Sequence, residues 1–156
     1  MFATHRFLAS ATLVSFVLVS ISLAQGASSR LPQDPAADVP AYHAQPPQGT
    51  LPSTMDPQEF PDPVVKNAYA AAAKVRKALY QQPCYCHCDR SQGHESLLDC
   101  FASKHGSGCG TCMLEAFYTY EQTRKGKTPS QIRAGIERGE WKTVDLNKYQ
   151  KPLPAK

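Results

Sequence analysis

At 156 residues and a net charge of +4, the chain has room for one small domain, and its basic residues are mixed with acidic ones instead of forming a block. With no clustered Lys and Arg and no nucleic-acid module, a phosphate-tracking surface is excluded and nucleic acid drops out as a partner. The two ends differ in composition from the middle and leave a folded part of roughly 90 residues, a size at which a metal or disulfides help to hold the core.

Residues 1–24 predict a secretory signal. His5 and Arg6 precede 17 uncharged residues from Phe7 to Leu23, and Ser22-Leu23-Ala24 supplies the small residues needed for cleavage after Ala24. Such a run also stands at the lower limit for spanning a bilayer, so an uncleaved anchor is the alternative. Either way the remainder is expected in a periplasmic or secreted compartment, where thiols meet oxidising conditions. A proline-rich linker follows over residues 25–61. Nine prolines fall in the 34 residues from Arg30 to Pro63, and because proline lacks an amide donor and disfavours helix in the residue before it, an extended, loose tether is predicted.

Residues 62–147 read as an all-α domain, a small bundle of about four helices around a cysteine-rich loop. Asp62 as N-cap and Pro63 at the first helical position open a helix whose apolar residues, Val65, Ala68, Ala72, Val75 and Leu79, recur at helical spacing up to Tyr80. Pro83 stops it. A short second helix over about 94–104 carries Leu97, Leu98, Cys100 and Phe101 inward. The third, from about Cys109 to Lys125, places Cys109, Cys112, Met113, Ala116, Phe117 and Tyr120 on one stripe and ends at Gly126. Thr128, Pro129 and Gln131 form a capping box for the fourth, with Ile132 and Ile136 inward and Gly139 as its stop. Trp141, Val144 and Leu146 are expected to pack back on the bundle, and residues 148–156 to form a loose tail.

All six cysteines fall between Pro83 and Cys112: Cys84, Cys86 and Cys88 alternate, Cys100 lies on the second helix, and Cys109 and Cys112 open the third. In a fully extended strand the sulfurs of Cys84 and Cys88 would stand about 13 Å apart, so the loop must curl if they are to share an ion. Cys109 and Cys112, three apart at a helix start, face one direction, where the helix dipole favours thiolate. Six thiols overfill a single zinc site of four ligands, and soft thiolates select among copper(I), zinc and iron–sulfur clusters. A compact copper–thiolate site or two metals sharing ligands both fit. Met113, His87, His94 and His105 are further donors nearby, and the candidate ligand set is Cys84, Cys86, Cys88, Cys100, Cys109, Cys112, His87 and His94. Three disulfides are the competing reading, with 15 possible pairings. No nucleophile, base and orienting group stand at catalytic spacing, although Glu95 and Glu115 lie near the cluster.

The run Pro83-Cys84-Tyr85-Cys86-His87-Cys88, followed by Gly93-His94, Ser96-Leu97, Asp99-Cys100-Phe101 and by Cys109 and Cys112 with Glu115 and Ala116, resembles the PCYCGC-motif proteins, a bacterial family of exported and often lipid-anchored proteins. The resemblance spans about residues 64–138 and implies the domain limits and export. It departs at His87, where the motif has glycine, and the signal segment here has no cysteine to carry a lipid. The residues themselves point to an exported soft-metal protein, copper(I) first, zinc second and an iron–sulfur cluster third, serving sequestration, delivery or sensing. Its partners would be the metal ion and another exported metalloprotein or membrane complex. The alternatives are a thiol–disulfide or metal-centred redox protein and a disulfide-held interaction module.

Overall fold

Asp62 and Pro63 start the helical body as their chemistry dictates. The Asp62 carboxylate accepts the Val65 N–H at 3.0 Å, and Pro63, with no amide of its own, takes the first helical position. The computed structural model describes residues 38–154, all within a unit spanning Asp34–Lys156; the predicted signal segment and the first part of the linker lie outside the described residues. From Pro63 the order is α1 (Pro63–Lys74), α2 (Arg76–Leu79), α3 (Cys88–Gln92), α4 (Leu97–Ala102), α5 (Gly110–Arg124) and α6 (Pro129–Glu137). Short 3-10 turns lie at Pro57–Glu59, Lys104–Gly108, Glu140–Thr143 and Leu146–Tyr149. The fold is all-α: among the described residues there is no strand, and no helix is long and apolar enough to cross a membrane.

Among the described residues six helices stand where about four were predicted, for two reasons. Val75 leaves the helical region at φ −126°, ψ 29°, which splits the first predicted helix into α1 and α2. The amides of Ala78 and Leu79 both turn back to the Val75 carbonyl, at 2.9 and 3.0 Å, and the re-aimed turn buries Leu79 completely. No breaker residue marks this point, because the bend is fixed by burial of the residues beyond it. The second addition is α3, a single turn inside the cysteine segment. The second predicted helix is also shorter than expected: a Ser96–Asp99 capping box starts α4 at Leu97, and Lys104–Gly108 forms a 3-10 turn.

Helix α5 is the element on which α1, α2, α4 and α6 all pack. Every residue from Glu115 to Tyr120 is buried, so the expected single stripe becomes a helix covered on all sides over two turns. Ala68, Ala71 and Ala72, all fully buried, carry so little bulk that α1 can lie close against it. Ile132, Ile136 and Trp141 pack around Tyr118 to make a separate small core under α6. Gly135 permits that approach, since a Cβ there would clash with the Tyr118 hydroxyl.

Beyond Asp38 the linker has no helix before the turn at Pro57–Glu59, and it lies against the helical body instead of hanging free. Pro40 and Phe60 are buried, Leu51 and Met55 pack on the core, and the Met55 N–H donates to the Phe101 carbonyl at 2.9 Å. His43 stacks on Tyr80 with ring centroids 3.9 Å apart, and Phe60 stacks on Tyr69 at 4.1 Å. Proline restricts the unfolded chain, so laying such a segment down costs little further entropy. The tail expected to be loose from residue 148 is also tied down. Tyr149 stacks on Phe117 at 3.5 Å, and the buried Asn67 amide donates to the carbonyls of Tyr149 and Lys151 at 2.7 and 2.9 Å. An aromatic ring in a polar tail was the available signal, and proline content outweighed it.

Candidate metal centre

The cysteine turn is held from both ends before any sulfur is considered. Gln82, fully buried, donates through Nε2 to the carbonyls of Ala78 and Pro129 at 3.0 and 3.2 Å, and its own carbonyl accepts the Leu97 N–H at 2.9 Å. Pro83 then leads into the turn. The His87 N–H donates to the Cys84 carbonyl at 3.0 Å, with His87 in the left-handed region at φ 56°, ψ 36°. That turn brings the sulfurs of Cys84 and Cys86 to 3.4 Å, against about 6.6 Å for positions two apart on an extended strand. The loop curls as the spacing demanded.

Cys100 and Cys112 enter from α4 and α5, both fully buried. Cys109 caps α5, its sulfur accepting the Cys112 N–H at 3.3 Å, where the helix dipole favours negative charge. His105 arrives on the 3-10 turn, and Gly106 lets it do so: a Cβ there would stand 2.9 Å from the Cys100 carbonyl oxygen and 3.1 Å from the Phe101 ring. No larger residue leaves the turn this close to the sulfurs.

Three sulfurs form a triangle. Cys84 stands 3.4 Å from both Cys86 and Cys112, which are 3.6 Å from each other. Cys88 and Cys100 are 3.4 Å apart, with His94 Nδ1 at 3.4 Å from Cys100. His105 Nε2 lies 3.6 Å from Cys86, and the rings of His94 and His105 meet edge to face at 5.1 Å. All six cysteines are free thiols, with separations far above the ~2.05 Å of a disulfide bond. Two sulfurs on one tetrahedral zinc at 2.3 Å each are about 3.8 Å apart, so movements of a few tenths of an ångström close such a shell here.

Four groups of donors lie within 4.8 Å of one another: Cys86, His105, Cys109 and Cys112; Cys88, His94, Cys100 and His105; Cys84, Cys86 and Cys88; and Cys84, Cys100 and Cys112. The cluster can therefore hold a metal ion. Seven of the eight side chains predicted as ligands are brought together, and His87 is the exception, absent from every group. Its left-handed backbone closes the turn, and its ring meets Tyr85 edge to face at 6.1 Å. His105, outside the predicted set, takes part in two groups. Its place among the cysteines made it a nearby donor, but its close approach depends on packing around Gly106.

Electrostatics divide the thiols. Cys86 is lowered to about 6, first by its hydrogen bond with Cys84, against the cost of burial. Cys109 is lowered to about 7 by its contact with Cys112, again against burial and aided by the Cys112 N–H. Cys88 is lowered too, chiefly by Cys100. Cys84, Cys100 and Cys112 move up; for Cys84 the contact with Cys100 opposes the rise, which Cys112, Cys86, Cys88 and burial impose. Because the sulfurs touch one another, titration belongs to the cluster and not to any one thiol. Glu115, one turn beyond Cys112 and fully buried, is raised to about 8 by burial. One of its oxygens accepts the Tyr85 N–H at 2.9 Å and the other has no partner, so this carboxyl pins the cysteine turn to α5.

Residues 13–154 match the family described as "Protein of unknown function with PCYCGC motif". The chain belongs to the PCYCGC-motif family. No curated protein and no solved structure matches it. The geometry gives the motif a physical meaning: Pro83 ends the preceding helical segment, the three cysteines supply the curled edge, and the glycine position is the one with positive φ. Glycine adopts that conformation without penalty, whereas His87 does so against a cost of roughly 1 kcal/mol.

Proposed function

We propose that this chain is an exported soft-metal-binding protein, taking copper(I) first and zinc second, whose role is sequestration, delivery or sensing. The observation that carries the reading is the triangle of Cys84, Cys86 and Cys112, with Cys84 equally close to both others. A disulfide can join only two of these three sulfurs to each other, whereas metal–thiolate bonding engages all three at once. Soft thiolates with two imidazoles suit copper(I) and zinc better than magnesium or calcium, which take oxygen ligands. Export rests on the uncharged Phe7–Leu23 run and the small residues before Ala24.

Elemental analysis of the anaerobically purified protein, paired with a thiol count, tests it. Near-stoichiometric metal with six reactive thiols after its removal is expected, and Cys86→Ser and Cys112→Ser should each lose metal. Full occupancy in both variants takes those residues out of the site. A dithiol redox role is the second reading, favoured by the Cys109 thiolate near neutral pH beside Cys112. A reduction potential below about −300 mV for that pair would mark a structural bridge instead of a cycling one.

A further inference from the structure

The donors divide without remainder. One group of four is Cys86, His105, Cys109 and Cys112; the other sulfurs and His94 leave Cys84, Cys88, His94 and Cys100. Cys88, His94 and Cys100 are mutual neighbours, and Cys84 belongs with Cys88 in one group and with Cys100 in another, so it fits the remaining place of the second set. Two tetrahedral ions need eight ligand atoms. Six thiols and two imidazoles supply that number.

The two sets differ in their access to water. In the second, Cys84, Cys88 and Cys100 are 3%, 2% and 0% exposed, and only His94 is half-buried. In the first, Cys112 is sealed while Cys86, His105 and Cys109 are all half-buried. Cys109 is also flanked by Gly108 and Gly110, both exposed, and nothing lies within 4 Å of where a side chain on either would begin. A large donor on another molecule can reach that sulfur unobstructed, whereas no such path leads to Cys88 or Cys100. The sets touch where Cys84 meets both Cys86 and Cys112 at 3.4 Å.

We propose that the cluster binds two ions with unequal roles: an inner ion held by Cys84, Cys88, His94 and Cys100 that maintains the fold, and an outer ion held by Cys86, His105, Cys109 and Cys112 that is handed to a partner presenting soft sulfur donors. The transfer is ligand exchange with no change of oxidation state. Each bond from an outer ligand, the three sulfurs and the His105 imidazole, breaks as one from an acceptor sulfur forms, and protons released by the acceptor thiols pass to the vacated cysteines, to His105 or to water. The proposal rests on the metal-binding reading and adds its stoichiometry, its division of labour and the chemistry of its partner.

The test loads the full chain anaerobically with zinc, counts ions by native mass spectrometry, and follows their loss to an excess of a small dithiol. Two zinc ions per chain are expected, half leaving fast and half at least tenfold more slowly. Cys109→Ser should abolish the fast half and keep the slow one. Gly108→Phe, which touches no ligand, should slow the fast half several-fold at unchanged stoichiometry. If neither zinc nor copper(I) binds, the metal reading itself fails. One zinc ion, or copper(I) alone, leaves that reading standing and overturns the division; so do two ions released in a single phase, or loss of both in Cys109→Ser.

Discussion

The cluster under α6 and the cysteine cluster are built on contrasting principles. Under α6, Ile132, Ile136 and Trp141 close around Tyr118, whose hydroxyl donates to Glu140. Packing alone is enough there. Around the sulfurs, burial gathers thiols, imidazoles and a carboxyl, groups that contribute little to stability until protons are lost and a guest shares their electrons. One region is complete as folded, and the other is a host.

The largest expected effect breaks that comparison in both directions. Saturating metal, at free concentrations about a thousandfold above Kd, should stabilise the protein by about 4 kcal/mol, read as a rise in Tm that a chelator reverses. Ile136→Ala should cost about 2 to 5 kcal/mol in the loaded and metal-free protein alike, with unchanged metal count. Equal Tm with and without metal would place the cysteine region with the self-sufficient one.

The next effect sharpens the contrast through pH. The Glu115 carboxyl is raised by burial from 4.5 to about 8, so the folded state holds its proton more tightly than the unfolded chain does. Its contribution is therefore complete below about pH 4.5 and is lost as pH rises through about 8, on the order of a few kcal/mol. Glu115→Gln keeps an acceptor for the Tyr85 N–H and removes the titration. Denaturant unfolding of the metal-free proteins across pH 5 to 9 should show the wild type losing stability relative to the variant; parallel profiles would count against a buried neutral carboxyl.

The smallest effect concerns the turn itself. His87→Gly should raise stability by no more than about 1 kcal/mol, since relief of the left-handed strain is partly offset by glycine's greater freedom in the unfolded chain. Metal stoichiometry should not change. A loss of metal in that variant would restore His87 to the ligand set.

Helix ends were legible because caps act locally. Asp62 with Pro63 and Thr128 with Gln131 start α1 and α6 where the residues indicated, and the gathering of the cysteines followed from their confinement to one stretch. Val75, Tyr149 and the linker from Asp38 were not legible, because each is placed by a surface formed elsewhere in the chain. The exchange of His87 for His105 has the same origin. A histidine between two cysteines looks like a ligand until the turn takes positive φ there, and the approach of His105, a nearby donor by position, depends on the close pass at Gly106.

The sequence by itself determined the helical class, the main helix starts and the stock of soft donors, since periodicity, capping and residue chemistry need no distant partner. Only the tertiary structure decided which donors meet and which face water. Those outcomes depend on the left-handed turn at His87, the close pass at Gly106 and the burial of α5, where chain segments far apart in sequence compete for the same space.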